Sequence, residues 1–307
     1  MPSLNVSASA SSAPIDLPRV RQLFSRPERL AASAFLRREV AGRMHERLSL
    51  IKLASRRVLD AGCGEGADLP LLQQRFAAAE VLGLDAAPAM LASARMAAQA
   101  RQPMLQRWLG KALAASRNDQ LLCGDFANLP LAPATLDAVW SNLALHWHPQ
   151  PDLVLSEWQR VLRVQGLLMF SCFGPDTFGQ LRNAMRAAGL PHAVLPFVDM
   201  HDLGDMLVGA GFATPVMDME KITVTYRTTQ QLLADVRAFG GNPLFSRQKS
   251  LRGRLVWQAL QQALEGMRNP DGVIPLSFEI IYGHAFKPQP KTPGEAVIHF
   301  DWPRKST

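Results

Sequence analysis

Three acidic residues stand at the ends of short apolar runs, and glycines crowd the first of them. Val58-Leu59-Asp60-Ala61-Gly62-Cys63-Gly64-Glu65-Gly66 carries three glycines two apart, with an acid two residues before the first. Glycine tolerates positive φ and has no Cβ, so such a loop turns sharply and brings backbone close to a ligand. Val81-Leu82-Gly83-Leu84-Asp85 repeats the run-then-acid pattern 25 residues beyond Asp60, and Leu121-Leu122-Cys123-Gly124-Asp125-Phe126 repeats it again. A carboxylate at the tip of a second strand can accept both hydroxyls of a ribose. Met90, soft and apolar, would pack on an adenine face. The plainer role for Asp85 is a helix N-cap. The loop alone leaves its ligand open, because Gly62-x-Gly64-x-x-Ala67 also satisfies the relaxed dinucleotide fingerprint of a nicotinamide enzyme. Asp60 favours another ligand: a pyrophosphate needs no carboxylate there, whereas a cationic methionine amine does.

The elements that position these groups follow from periodicity. Residues 69–76 read as a helix, so the glycine loop sits at a strand-to-helix switch of an α/β sheet, where ligands bind at the carboxyl ends of the strands. Residues 127–131 are a loop by their Asn and Pro, and 136–142 read as a fourth strand. The D60-x-G62-x-G64-x-G66 run resembles motif I of S-adenosylmethionine-dependent methyltransferases. In that pattern Asp125 accepts from the adenine amine, the backbone of Phe126 meets the ring, and the fourth strand ends at Asn142 beside the reacting sulfur.

Beyond this half, residues 151–165 read as a helix whose apolar face is Leu155, Trp158, Val161 and Leu162, with Gly166 as its stop. Residues 167–173 read as a fifth strand, followed by a turn and a helix through residue 185. Asp199 caps a helix running to residue 211. Residues 216–226 form a sixth strand, 228–239 and 247–267 two helices, and 275–286 the last strand. There are no internal repeats.

Composition bounds the class. The chain has 307 residues, 48% of them hydrophobic, enough for one α/β core with additions. Cys63, Cys123 and Cys172 are too far apart for a zinc spacing, and no metal is expected; near strand ends they read as ordinary buried thiols of a reducing compartment, so a cytoplasmic protein is expected. No 18-residue apolar run suggests a membrane span. Residues 1–17 are expected to be a disordered tail, 18–57 a basic helical lid, 58–287 the cofactor-binding domain with a helical cap at about 228–268, and 288–307 a loose tail. The lid is markedly basic: from Arg19 to Arg57 there are eleven Lys or Arg against three acids, in a chain of net charge +7. Phe35, Val40, Met44 and Leu48 recur at helical spacing within it. Such a face is either solvated or docks an acidic partner, nucleic acid or carrier protein.

From about residue 20 to 286 the chain resembles the BioC family, the malonyl-acyl-carrier-protein O-methyltransferases of biotin synthesis. The matches are V58-L-D-A-G-C-G-E-G66, L84-D-A-A-P-A-M90, G124-D-F-A-N-L-P-L131, D137-A-V-W-S-N-L-A-L-H-W147 and R160-V-L-R-V-Q-G166. The resemblance implies a Rossmann-like class I methyltransferase fold: a seven-stranded, mostly parallel sheet with helices on both faces, a helical lid in front and a helical insertion before the last strand. It implies S-adenosylmethionine held by Asp60, Gly62, Gly64, Gly66, Asp85, Ala86, Met90, Asp125, Phe126 and Asn142. It implies malonyl-acyl carrier protein as partner, docking on the basic 19–57 segment, with Arg37 and Arg38 as the cations to test. An Arg in the helix after strand six engages the malonyl carboxylate in that family, and D235-V-R-A-F-G-G241 puts Arg237 there. His146 and Trp147 would line the acceptor pocket. The second half is also similar to the mitochondrial complex I assembly factor related to BioC, through F173-G-P-D-T177 and L203-G-D-M-L-V-G-A-G-F212; that protein is assigned arginine hydroxylation, and its branch lacks the Arg237 equivalent. Two departures stand out. The lid tyrosine of the family is Leu30 here, and residues 96–120 form a longer connection than usual.

A carboxylate acceptor is ionised at neutral pH, so methyl transfer to it needs no general base. The absence of a Ser-His-Asp or Cys-His constellation agrees with that. Enzymes that methylate exocyclic amines of nucleic acids commonly carry Asn/Asp-Pro-Pro-aromatic after strand four; here the residues are Ser141-Asn142-Leu143-Ala144. Methylation of RNA or a small molecule by other routes, and a non-catalytic assembly role, are the remaining readings. The intact Asp60, Asp85 and Asp125 set argues against a dead site.

Overall fold

The structure is a computed structural model that describes residues 14–101, 120–190, 194–247 and 253–290. Seven strands form one sheet: β1 (Arg57–Ala61), β2 (Glu80–Asp85), β3 (Gln120–Cys123), β4 (Leu136–Ser141), β5 (Leu162–Phe173), β6 (Ala213–Tyr226) and β7 (Ile274–Phe286). Their order is β3-β2-β1-β4-β5-β7-β6. The first five pair in parallel, and β7 runs antiparallel between β5 and β6. The order turns back between β1 and β4, which makes the switch point where such sheets open a crevice.

Helices cover both faces, so the central strands are apolar almost throughout. Successive side chains of a strand point to opposite faces. Val58 and Trp140 therefore join the layer under α3 (Ala34–Ser49) and α4 (Leu69–Arg75), while Leu59 and Val139 join the layer under α6 (Pro151–Val161) and α8 (Met200–Gly209). Between α4 and α6 lies α5 (Pro88–Arg101), which follows β2, and between α6 and α8 lies α7 (Gly179–Ala187). The insertion before β7 is α9 (Thr229–Ala238) and α10 (Arg254–Glu265). Thr228 and Asp199 cap α9 and α8 by accepting from the backbone N–H of Gln231 and His201.

Several expectations need correction. The helix expected over 151–165 ends at Val161, and Leu162 already pairs with Leu136 in the sheet. The Lys287 ammonium donates to the carbonyls of Gln159 and Leu162 at 2.8 and 2.9 Å, meeting the acceptors the last turn leaves free. Gly166 is therefore part of an irregularity in β5, next to Gln165 at φ 63°, and not a helix stop. The lid is three helices rather than one: α1 (Leu17–Leu23), α2 (Pro27–Leu30) and α3, with Pro at the start of the first two. Its inward stripe is Leu36, Val40, Met44 and Leu48; Phe35 is exposed. Residues 14–17, expected in the tail, are ordered, and Ile15 is buried and bridges Leu244. Cys123 is exposed, unlike Cys63 and Cys172. Residues 102–119, the core of the long connection, lie outside the described residues, as do 1–13, part of the 247–267 helix, and 291–307.

Candidate active site

The glycine loop leaves β1 and returns to α4 through three left-handed residues, Gly62, Gly64 and Gly66 at φ 81°, 54° and 69°. Gly62 is the position that no side chain tolerates. A Cβ there would stand 2.4 Å from the Cβ of Ala144, on the loop after β4. The amides of Gly62 and Cys63 both donate to the carbonyl of Leu84, which ties the loop to the end of β2. Gly66 faces away from the opening; a Cβ on it would press on Leu69 and Ala94, so it sets how α4 and α5 pack beside the loop.

A cleft of about 870 Å³ opens over these strand ends. Asp60, Gly62, Gly64, Asp85, Ala86, Met90, Phe126, Asn142 and Trp147 all line it, so most of the expected cofactor residues converge. Asp85 accepts from the amides of Gly64 and Ala87 at 2.9 and 2.8 Å, which fixes its carboxylate at the tip of β2. Asp60 is 2% exposed, and its Oδ2 has no hydrogen-bond partner among the described residues. Burial, with the charges of Asp68 and Asp85 beside it, pushes Asp60 well above the usual carboxylate range. An orphaned carboxylate oxygen aimed into a cleft is a receptor for a cation. The site thus fits S-adenosylmethionine, whose amine would meet Asp60 and whose ribose would meet Asp85. Asp125 does not line the cleft. It stands at the rim, accepts from the Ala127 amide at 2.9 Å and pairs with Arg21 of α1 at 3.6 Å.

Sequence reasoning missed the groups that hold these residues in place. Asp68, at the end of the loop, accepts at Oδ2 from the Trp140 indole at 3.0 Å and the Asn142 amide at 2.9 Å. Burial raises its carboxyl, while those two donors and Arg37 pull it back down. The same Asn142 amide donates to the carbonyl of Arg37 at 3.0 Å, and its oxygen accepts from Ser171 at 3.0 Å. Arg37 pairs with Glu65 inside motif I at 3.3 Å. The lid is therefore fastened to the glycine loop and the tip of β4 at once. Val20, Phe24 and Leu30 of the lid also line the cleft. The available signal was an acid two residues past the last glycine and an arginine on a helix otherwise apolar on that side.

Trp147 lines the cleft and also a second cavity of about 690 Å³. Phe173, Phe178, Leu181, Phe197 and Phe239 give that cavity apolar walls, and Arg237 is the one charged lining residue among those described. Trp147 is held by Phe24, edge to face at 5.2 Å between centroids, and by Gly240, where a Cβ would stand 2.5 Å from the indole. Arg237, in the last turn of α9, is exposed and lies 5.7 Å from the ring centre of Trp257. His146 does not line either of these cavities. Its ring packs between Phe173 and Trp147 at 4.6 and 5.1 Å, and burial pulls its pKa down to about 3. It is a neutral support behind Trp147, so the expectation that it lines the acceptor pocket is not met.

The sheet order, the glycine loop and the acid-tipped strands define a class I S-adenosylmethionine-dependent methyltransferase. A profile described as "Methyltransferase domain" matches residues 59–170. A malonyl-[acyl-carrier protein] O-methyltransferase of Laribacter hongkongensis is 46% identical over 278 residues, covering 89% of this chain and 90% of that protein. One of the same name from Gallionella capsiferriformans is 43% identical, covering 92% and 96%. The chain belongs to the malonyl-[acyl-carrier protein] O-methyltransferase family. Among solved structures, a putative methyltransferase from Bacillus halodurans superimposes with a TM-score of 0.56 at 18% identity, covering 81% of this chain and 99% of that one, a likeness of fold. Among the described residues, no helix is long and apolar enough to cross a membrane.

Proposed function

We propose that the protein transfers the methyl group of S-adenosylmethionine to the free carboxylate of a malonyl group carried on acyl carrier protein, in the cytoplasm, as a step of biotin synthesis. The observation that carries this reading is the 46% identity, over nine-tenths of both chains, to a protein named for that reaction. The cavity beyond Trp147, whose described lining is apolar but for Arg237 and Asn242, supports it: a short acyl arm ending in one anion asks for mostly apolar walls and one cation.

The cofactor supplies a methyl group on a positively charged sulfur. Asp60 would balance the charge of its amine and Asp85 would hold its ribose, while Met90 and Phe126, which line the same cleft, would meet its base. The acceptor carboxylate is already ionised, so no residue must take a proton. The work of the chain is alignment, and proximity alone lowers such barriers by several kcal/mol. Arg237 orients the acceptor by gripping its oxygens sideways, a geometry a guanidinium supplies and an ammonium does not. Trp147, Phe24 and Leu30 exclude water, which leaves the carboxylate a better nucleophile. The three free thiols agree with a reducing compartment.

The test is transfer of labelled methyl from S-adenosylmethionine to malonyl carrier protein, with acetyl carrier protein as control. Label that becomes volatile on mild base treatment marks a methyl ester. Equal labelling of the acetyl form, or none of either, overturns the reading.

A further inference from the structure

The positive charge of the lid divides into two groups. Arg21, Arg37, Arg43, Arg47 and Arg57 end in ion pairs within the molecule, with Asp125, Glu65, Glu39 and Glu220, Asp218 and Glu80 respectively. Those charges fasten the lid and β1 to the rest of the fold. Three of the others are not scattered. Arg19, Arg26 and Arg29 line one groove of about 1900 Å³ between α1–α2 and α9, and Arg237 and Arg247 line it too. Among the described residues, no carboxylate lines it. Arg26, Arg29 and Arg237 are exposed and make no ion pair among the described residues. Arg247 is tied to Asp16 at 3.4 Å.

Four guanidinium groups without an acidic partner among the described residues, beside a fifth that Asp16 neutralises, focus a positive field on this concave surface. The groove also leads inward. It shares Met185, Arg237 and Asn242 with the apolar cavity, which shares Trp147 with the cofactor cleft. The three spaces therefore adjoin in series from the surface to the cofactor cleft.

We infer that this groove, and not the outer face of α3, docks the acyl carrier protein, with Arg26 and Arg29 receiving its acidic side chains and its thioester arm passing inward beside Arg237. The inference rests on the acceptor reading above. Carrier proteins present carboxylates around the arm's attachment point, and charges at the edge of an interface act chiefly on association rate and its salt dependence. The expected place of Arg37 within a docking face is corrected by its pairing with Glu65 in the cleft wall.

The experiment compares malonyl carrier protein with malonyl-coenzyme A as acceptors for the wild type, R26E/R29E and R38E. Arg38 is exposed on α3, outside the groove. R26E/R29E should lose about tenfold or more in kcat/KM for the carrier substrate at low ionic strength, less at high salt, through KM rather than kcat. Turnover of malonyl-coenzyme A should change far less, and R38E should behave as wild type toward both. The docking inference is overturned if R26E/R29E keeps full carrier activity, if both acceptors fall equally, if R38E falls as far, or if RNA competes with the carrier at the groove. Failure of the wild type to methylate either acceptor would instead remove the acceptor reading itself, a separate and visible result.

Discussion

Asp60 concentrates the chemistry of the cofactor site, because it is buried, acidic and short of a partner on Oδ2. Burial, Asp68 and Asp85 raise its titration, so in the free protein it holds its proton to a pH above the ordinary carboxylate range. A cationic ligand favours the ionised form. Binding of S-adenosylmethionine should therefore release a proton, and affinity should strengthen as pH rises through that window. By the same sign, the free protein loses stability as pH rises through it, and the ligand offsets the loss. Calorimetry in buffers of different ionisation enthalpy reads the released proton directly. In Asp60→Asn that proton should vanish, and affinity should fall by about one to two decades, the worth of a hydrogen bond to a charged group. Arg237 is the second residue to test. Arg237→Ala should lose about one to two decades in kcat/KM for malonyl carrier protein with unchanged cofactor affinity, and Arg237→Lys should recover part of it. Unchanged kinetics would make Arg237 a surface residue.

The glycine loop and the tip of β4 act as one element. Gly62→Ala should cost about 2 kcal/mol or more, since φ 81° disfavours a Cβ and Ala144 blocks it at 2.4 Å. Denaturant titration measures that cost, and a midpoint equal to wild type would mean that the loop has another conformation. Asp68→Ala leaves the Trp140 indole without its acceptor and takes one from the Asn142 amide, at about 1–3 kcal/mol for each buried donor left unsatisfied. His146, by contrast, is fenced by aromatic rings, burial pulls its pKa down to about 3, and its Nδ1 accepts from the Phe173 amide at 3.5 Å, so it supports the wall behind Trp147.

Across the whole molecule, the lid is part of the site. Val20, Phe24, Leu30 and Arg37 line the cleft, while Arg43 and Arg47 reach Glu220 and Asp218 on β6. A cofactor bound in this cleft would touch both the sheet and the helices that line its other side. Adding S-adenosylmethionine should therefore slow amide hydrogen exchange in residues 17–37 together with the loop at 60–68. Protection confined to the loop would show that the lid does not close on the ligand. The α3 anchor on β6 should hold in either state.

What the sequence determined by itself was local: apolar runs ending in acids, glycines where backbone must turn, and helices with one apolar stripe. Each of these is written within a few neighbouring residues, so Asp60, Gly62, Gly64 and Asp85 were legible before any contact was known. Only the tertiary structure decided which groups meet. Asp68 finds Trp140 72 positions away, and Asn142 finds the Arg37 carbonyl 105 positions away, separations that no periodicity encodes. The same holds for charge. Eleven basic residues looked like one face, but folding brought acids from motif I, β2, β6 and the segment after β3 to five of them and gathered three others around a groove. Whether a cation is a fastener or a free docking charge depends on its spatial neighbours, and those neighbours belong to the fold.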